Sequence, residues 1–286
     1  MDNKDTRRIY VYLIIALVVV SFSSIFIKLS TAPPLIVAFY RMFISTLIIT
    51  PYFIYKYRKH YRLLFDYRLI LVGLLLALHF IFWITAFEYT SVANAVIFVA
   101  LQPLYSIIFE YMFSREDLQK KTIIGVVLAM SGTIIISIGD INILFTRIWG
   151  DLLAFTAGLF AAFYLFIGRS LRKKLDYFPY IYVVYTYAAL FIGICVLITG
   201  ISFSGYNRIN YLYFFILAIG PTLIGHSIFN YSVRFIPVSI VSLSLLAEPL
   251  LATILARLIL GEVIVPVTVC GGVIILSGIY IATRQK

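Results

Sequence analysis

The sequence predicts an all-α integral membrane protein. Ten transmembrane helices are expected to form two inverted repeats of five, a 5+5 arrangement, with the N- and C-termini in the cytosol. Three observations lead to this fold class: the proportion of apolar residues, the distribution of basic residues along the chain, and a sequence repeat that relates its two halves. Polar residues inside the apolar segments then indicate where a functional site would lie.

Apolar residues make up 63% of the 286 residues and charged residues only 12%, and the mean hydropathy is +1.04. A soluble domain has about 45–50% apolar and about 25% charged residues. No soluble core of this size can bury the surplus, so the lipid bilayer must solvate it. A spanning helix needs roughly 20 apolar residues. Ten such segments can be recognised, and they leave no room for an extramembrane domain: 10–29, 35–55, 69–88, 92–113, 121–139, 149–168, 179–200, 211–231, 238–260 and 266–283.

The basic residues are concentrated on one side of the predicted membrane. With the N-terminus in the cytosol, 18 of the 23 Lys and Arg residues lie in the inner segments, whereas the outer loops hold Lys28, Arg147 and Arg208. This distribution follows the positive-inside rule. An even number of spans returns the C-terminus to the cytosol. Topology therefore accounts for the net charge of +11, and nucleic acid is not expected as a partner.

An internal repeat relates the two halves of the chain. Residues 92–137 align without a gap to residues 238–283, at an offset of 146 and with 11 of 46 positions identical. Matched glycines are more informative than matched apolar residues, which coincide readily by chance. The repeat divides the chain into residues 1–139 and 149–283, with five spans each. Because five is odd, the second half must enter the membrane from the opposite side. Inverted repeats of this kind build many secondary transporters, with substrate bound near the midplane.

A carboxylate lies deep in the ninth predicted span, in the stretch SLLAEPLLATILARLILGE, residues 244–262. Glu248 is about 18 Å from the outer end of this span at 1.5 Å per residue, close to the middle of a core about 30 Å thick. An ionised carboxylate at that depth must face the bundle interior or water. Pro249 also removes a backbone hydrogen bond to Leu245. We expect Glu248 to bind substrate or couple transport to a proton; the alternative is a kink residue satisfied by a neighbouring helix.

Two pairs of polar and aromatic residues have i,i+4 spacing, which places each pair on one helix face. His79 and Trp83 lie in span three, and His226 and Asn230 lie in span eight. The second pair is within one residue of the repeat-related position of the first. We expect the pairs to line opposite walls of a central cavity; a structural histidine is the alternative for each. No metal site is predicted, because no further His or Cys lies one turn away.

Arg41, six residues into span two, has two interpretations. Its side chain either extends to the outer interface or attracts an anionic group of the substrate. Arg257 lies three residues from the end of span nine and is expected to reach the interface. The remaining candidates for substrate binding are Asn94, Gln102, Ser244 and Tyr164. Packing or lipid contact is the alternative for any single aromatic residue, since 17% of the chain is aromatic.

The chain resembles the drug/metabolite transporter superfamily, specifically its EamA-type members. The resemblance covers roughly residues 10–283 and rests on FYRMFIS, LQPLYSIIFEYMFSRE, GVVLAMSGTIII, GDLLAFTAGLFAAFYLFIGR, LLAEPLLATILARLILGE and GGVIILSGIYI. It implies a 5+5 inverted-repeat transporter whose central cavity is lined mostly by spans 1–4 and 6–9. One position departs from symmetry: Gln102-Pro103 in the first half corresponds to Glu248-Pro249 in the second. A mechanism with two symmetric glutamates is therefore not expected.

The resulting expectation is a secondary transporter of the cell membrane. It would move a small organic solute, an amino acid or related metabolite or amphipathic compound, in the direction of efflux. A gradient or exchange would drive it, since the chain has no Walker A loop. The alternatives are an integral membrane enzyme acting on lipid and a passive channel or scaffold. H-E-x-x-H and G-x-S-x-G motifs are absent, so no catalytic residue and no cofactor is predicted. The expected partners are the solute and the bilayer, with the protein a monomer or homodimer.

Overall fold

The computed structural model describes residues 3–102, 104–105, 108–109, 112, 120–143, 147–172, 175–232 and 248–283, and in these ranges the regular structure is helical with no β-strand. The α-helices are α1 (Asn3–Leu29), α2 (Pro34–Tyr57), α3 (Tyr67–Tyr89), α4 (Val92–Val99), α5 (Lys120–Ile143), α6 (Arg147–Arg172), α7 (Tyr177–Thr199), α8 (Arg208–Leu217), α9 (His226–Ser232), α10 (Glu248–Leu255) and α11 (Pro266–Thr283). A 3₁₀ segment (Arg58–Phe65) follows α2, and π-helical segments follow α8 (Ala218–Gly225) and α10 (Ala256–Leu260).

In the described part of the chain, six stretches are long and apolar enough to cross a membrane: Val11–Leu29, Pro34–Phe65, Tyr67–Tyr89, Arg147–Gly168, Tyr177–Thr199 and Arg208–Phe229. Two shorter apolar helices, Ile123–Gly132 and Pro266–Ile281, match the fifth and tenth predicted spans. Large apolar side chains face outward; Ile198 is 79% and Leu258 is 75% exposed. Such a surface is suited to lipid and not to water. The prediction of an all-helical, membrane-embedded protein with several spans is confirmed.

Helix boundaries follow local sequence signals. The carboxylate of Asp66 accepts from the backbone N–H of Arg68 at 3.0 Å and caps α3. The hydroxyl of Ser91 accepts from the backbone N–H of Asn94 at 3.2 Å and caps α4. Both residue types are favoured at this position because they satisfy an N–H group without an intrahelical partner. Gly200 ends α7 with φ of 69°, a left-handed conformation that glycine adopts at little cost.

Several helix ends meet at one end of the bundle, the upper face, which we define by the α1–α2 turn at residues 30–33. Asn210 of α8 accepts there from the hydroxyl of Ser30 at 2.9 Å. The Lys28 ammonium donates to the carbonyl oxygen of Thr90 at 3.4 Å. Helices α1 and α3 therefore end at the upper face, whereas α2 and α8 begin there. The opposite end of the bundle is the lower face.

The directions of the remaining helices follow from further contacts at the upper face. These are Thr90 with Asp151, Asn94 with Thr268, the backbone N–H of Val92 with Glu262, and Tyr40 with the carbonyl oxygen of Phe203. They show that α4, α6 and α11 begin at this face, and that α7 and the segment containing α10 end there.

Helices α5 and α11 pack through glycines. A Cβ placed on Gly132 would lie 2.7 Å from the carbonyl oxygen of Gly271, and one on Gly278 would lie 2.6 Å from the carbonyl oxygen of Gly125. Later residues of one helix thus meet earlier residues of the other, so the helices are antiparallel. The repeat relates Gly125 to Gly271 and Gly132 to Gly278. Replacing each glycine by its repeat-related partner therefore converts the contact between Gly132 and Gly271 into the contact between Gly278 and Gly125. This exchange is what a two-fold relation between the helices produces.

Candidate functional site

Arg41 lies inside the bundle, with only 1% of its surface exposed. Its Nε donates to the hydroxyl of Thr222 at 2.9 Å, and its Nη1 donates to the hydroxyl of Ser23 at 2.9 Å. Its Cζ lies 4.4 Å from the centroid of the Phe80 ring, a cation–π arrangement. The interpretation that Arg41 extends to the outer interface is therefore wrong, because its guanidinium is held among α1, α2, α3 and the π segment after α8.

The π segment Ala218–Gly225 interrupts the α-helix of the eighth predicted span. A side chain of α2 lies against one of the carbonyl oxygens in this segment. Pro221 has no N–H to donate to the carbonyl oxygen of Leu217. The hydroxyl of Thr222 donates to that oxygen instead, at 2.9 Å. From α2, the hydroxyl of Ser45 lies 3.2 Å from the carbonyl oxygen of Ala218. Because Thr222 also accepts from Arg41, the guanidinium is tied directly to this break in the helix.

His79 and Trp83 share one face of α3, as their spacing predicts. Their rings stack with centroids 5.8 Å apart and an interplanar angle of 15°. Nδ1 of His79 lies 3.0 Å from the carbonyl oxygen of Ala157 in α6, so Nδ1 carries the proton of this hydrogen bond, because a carbonyl oxygen can only accept. Trp83 is 5% exposed, and its Nε1 has no hydrogen-bond partner among the described residues. The indole N–H is therefore a buried donor available to a ligand.

Glu248 is half-buried at the start of α10. Its carboxyl group lies within electrostatic range of Arg41, as do the rings of His79 and His226. No nitrogen–oxygen pair between Arg41 and Glu248 lies within 4.0 Å, so the guanidinium and the carboxyl group do not form a direct ion pair. We call Arg41, His79, Trp83, His226 and Glu248 the central polar site. The first half of the chain contributes three of these residues and the second half contributes two.

Tyr164 belongs to a group of tyrosines toward the lower face, the lower tyrosine cluster, which consists of Tyr164, Tyr177, Tyr180 and Tyr185. These residues lie close enough to influence one another's ionisation, and Tyr185 is also within electrostatic range of Arg41. The hydroxyls of Tyr177 and Ser227 are 2.9 Å apart. The lower tyrosine cluster, which contains the predicted residue Tyr164, therefore lies within electrostatic range of the central polar site through Tyr185.

Asn94 is placed in a different cluster, at the upper face. Its Nδ2 donates to Oδ1 of Asp151 at 3.3 Å, and its Oδ1 accepts from the hydroxyl of Thr268 at 3.2 Å. The hydroxyl of Thr90 donates to the same Asp151 oxygen at 2.8 Å. We call Thr90, Asn94, Asp151 and Thr268 the upper polar network. It joins the first half of the chain to the second, and its four side chains are buried.

The structure places the other residues singled out from the sequence outside these clusters, or does not describe them. Gln102 is half-buried beyond α4. Ser244 lies outside the described residues, and so does the side chain of Asn230. Arg257 is exposed, with its Nη1 3.4 Å from the carbonyl oxygen of Glu262. Within the described ranges, no group of three or more His, Cys, Asp and Glu residues could hold a metal ion.

Sequence reasoning missed the residues that position these groups. Ser23 and Thr222 hold Arg41, but an isolated hydroxyl in an apolar segment carries no distinctive pattern. Thr222 follows Pro221, and this adjacency is a usable signal, because a hydroxyl can replace the hydrogen bond that proline removes. Asp151, an acidic residue at the start of an apolar span, was also a detectable exception.

Comparison with known proteins agrees with this architecture. The EamA-like transporter family matches residues 7–138 and 148–284. No curated protein matches the sequence. Sixteen chains of solved structures are similar; for one, described as a crystal structure of a protein, the TM-score is 0.65 at 16% identity, with 96% of this chain and 97% of that chain covered. At this identity the similarity shows the fold alone.

Proposed function

Because the chain belongs to the EamA-like transporter family of the drug/metabolite transporter superfamily, we propose that it is a secondary transporter that carries a small organic solute by alternating access. The proposal includes an amino acid or related metabolite or amphipathic compound as substrate, the cell membrane as location, and efflux as direction. A solute gradient, an ion gradient or exchange supplies the energy.

The observation that carries this proposal is the central polar site. Arg41 is buried inside an apolar bundle, and Glu248 interacts with it without direct contact. Ionisable groups within membrane spans are costly and commonly mark the path of a substrate or proton. Both halves of the chain contribute to the site, as expected where a carrier binds its solute between two repeats.

The fold proposed for this function is the 5+5 inverted repeat, with residues 1–139 and 149–283 as its halves. Helices α5 and α11, which the repeat relates, are antiparallel. Helices α1 and α3 are the first and third of the first half, and both end at the upper face. Helices α6 and α8 are the first and third of the second half, and both begin at the upper face. Each pair thus has opposite directions. The basic segment Arg58–Phe65 lies at the lower face, which supports a cytosolic lower face and cytosolic termini.

Alternating access requires contacts between the halves that break and re-form. The upper polar network supplies such contacts, because Thr90 and Asn94 of the first half bond Asp151 and Thr268 of the second. We propose that this network closes the outer side of the carrier. Opening to the outside then exposes these polar groups to water, which replaces their hydrogen bonds.

Glu248 is proposed to couple transport to a proton or to pair with a substrate amine. Its repeat-related residue is Gln102, so the first half offers no carboxylate at the corresponding position. Arg41 provides a fixed positive charge within electrostatic range of Glu248. A proton or an amine on the carboxylate changes the attraction between these two groups, and therefore the balance between conformations.

The test is counterflow in proteoliposomes loaded with unlabelled solute, using a panel of amino acids and amphipathic metabolites. A carrier accelerates entry of the labelled solute, whereas a pore does not. We expect Glu248→Gln to alter the rate and its pH dependence. Glu88→Gln is the matched control, because Glu88 is exposed in the last turn of α3. Counterflow with an unchanged rate and pH dependence in Glu248→Gln would remove the coupling role, and its absence for all solutes in the wild type would contradict carrier function.

A further inference from the structure

Two buried hydrogen-bond donors near each other in the central polar site point to the chemistry of its ligand. Among the described residues, Arg41 is the only buried arginine or lysine, and the structure gives its Nη2 no acceptor there. The Cζ of Arg41 lies 5.8 Å from the centroid of the Trp83 ring. The Nε1–H of Trp83 is buried without a partner among the same residues.

The partners of Arg41 solvate its charge without neutralising it. Ser23 and Thr222 offer neutral hydroxyl oxygens, and Phe80 offers the face of its ring. The carboxylate of Glu248 is more than 4.0 Å from the guanidinium. A buried cation without a contacting anion is strongly unfavourable, so an anionic group that enters the site gains from contact with Arg41.

We infer that Arg41 and Trp83 together bind a single carboxylate group of the transported solute. This inference rests on the proposed function and adds the substrate class. A guanidinium presents two parallel N–H donors that match a planar carboxylate, and the indole N–H adds a third donor. A polyphosphate does not fit, because it needs several cations and the described part of the chain buries one.

The surroundings of the two donors define the rest of the solute. The rings of Phe80, His79 and Trp83 form one aromatic wall, with centroids 4.9 to 6.4 Å apart. Such a wall suits an aromatic or branched aliphatic body. The carboxylate of Glu248 can pair with an amine on the same solute. The substrate class therefore includes both simple carboxylates and zwitterionic amino acids.

Carboxylate binding would also act on the break in span eight. Arg41 donates to Thr222 through Nε and to Ser23 through Nη1. A carboxylate that accepts a hydrogen bond from Nη2 would draw the guanidinium toward Trp83. This movement would weaken the hydrogen bond from Nε to Thr222. Since Thr222 also satisfies the carbonyl oxygen of Leu217, recognition of the solute is linked to the helix segment that Pro221 interrupts.

The experiment compares acids with their primary amides. The full chain in detergent is heated with L-phenylalanine, L-leucine, 3-phenylpropionate or 4-methylpentanoate, and with each corresponding amide. A ligand that binds the folded state raises the Tm. We expect at least one acid to raise the Tm and its amide, at equal concentration, to have no effect. If no acid raises the Tm, or if acid and amide act alike, the inference is overturned.

Substitutions then assign the effect to the two donors. Arg41→Gln should abolish the response to the acid. Trp83→Phe keeps a ring and removes the N–H, and it should weaken acid binding by about ten- to a hundredfold, the effect of one hydrogen bond to a charged group. Trp149→Phe is the control, because Trp149 is exposed at the start of α6. Should Arg41→Gln fail to fold, equal acid affinities for Trp83→Phe and Trp149→Phe would still overturn the inference.

Counterflow separates this inference from the proposed function. Exchange of a neutral or cationic solute that Trp83→Phe leaves unchanged would keep the carrier and reject the carboxylate site. Acid binding that requires Arg41 and Trp83, without counterflow of any solute, would keep the carboxylate site and reject the carrier.

Discussion

Gly132 of α5 lies against the backbone of Gly271 of α11, so closely that a Cβ on Gly132 would be 2.7 Å from the Gly271 carbonyl oxygen. The contact between Gly278 and Gly125 has the same form with the helices exchanged. Backbone atoms that approach this closely cannot accommodate a methyl group unless the helices move apart. The two glycine contacts therefore set the separation of α5 and α11.

Alanine at Gly132 or Gly278 is expected to destabilise the protein. Each added methyl group meets backbone atoms, which cannot rotate away, so the cost should be that of overpacking, about 1–3 kcal/mol. The measurement is thermal unfolding in detergent. Gly272→Ala is the control on α11, the helix of Gly278, because its Cβ would meet the flexible end of the Ile97 side chain at 3.0 Å. Equal stabilities for Gly278→Ala and Gly272→Ala would show that the glycine contact is not tight.

Replacement of Thr222 by valine should loosen both Arg41 and the π segment. The variant leaves the carbonyl oxygen of Leu217 and the Nε of Arg41 without the hydroxyl that each contacts. We expect a loss of about 1–3 kcal/mol in the free energy of unfolding, the cost of leaving buried polar groups unsatisfied. Thr156→Val provides the comparison, since the hydroxyl of Thr156 donates a hydrogen bond to the Leu152 carbonyl oxygen of its own helix at 2.7 Å. A Thr222→Val protein as stable as Thr156→Val would contradict this role.

Thr90→Val is expected to open the upper face more often. It removes the hydrogen bond to Asp151, 2.8 Å long, that joins the halves. A cysteine at Ala93, a position 5% exposed in the first turn of α4, reports the opening when a membrane-impermeant thiol reagent is added to a cysteine-free background. Its labelling should accelerate by about ten- to a hundredfold, the effect of losing one hydrogen bond to a charged group.

The control for this measurement is Thr199→Val at the end of α7. The hydroxyl of Thr199 donates to carbonyl oxygens of its own helix, at 2.9 Å to Cys195 and 3.1 Å to Val196. Its loss should leave labelling at position 93 unchanged. If Thr90→Val and Thr199→Val label at the same rate, the upper polar network does not hold the halves together.

Asp66 should make the stability of α3 depend on pH. Hydrogen bonds from Arg68 lower the pKa of Asp66 below its usual value of 3.8. Because the folded pKa is depressed, the stabilisation is present above the unfolded pKa and is lost as the pH falls through the folded pKa. Asp66→Ala should cost about 1 kcal/mol at neutral pH through loss of the N-cap.

Asp66→Asn tests the charge separately from the cap, since asparagine also caps helices. Thermal unfolding of wild type and Asp66→Asn at pH 7 and pH 3 measures the effect. The advantage of the wild type should shrink at the lower pH. A difference that stays constant between the two conditions would exclude ionisation of Asp66 as its source.

Part of the candidate site could be predicted from the sequence. His79 and Trp83 were identified from their spacing, and Glu248 from its depth, because an ionisable group in an apolar span is exceptional wherever it faces. Asn94, an uncharged polar residue in span four, was also predicted to bind substrate, but it bonds Asp151 and Thr268 at the upper face. Helical spacing gives the face of a residue on its own helix. Helical spacing does not show which helix packs against that face, or at what depth in the bundle a partner residue lies.

The sequence by itself determined that the lipid bilayer surrounds the protein, that its segments are helical and that its two halves are related by a repeat. Each of these depends on composition or on the order of residues along the chain. Only the tertiary structure decided that Arg41 stays inside the bundle, with Ser23, Thr222 and Phe80 around its guanidinium. Whether a long side chain reaches an interface or a buried hydroxyl depends on which helices pack against it. That packing arises from contacts between residues far apart in the sequence, such as Arg41 and Thr222, which are 181 positions apart.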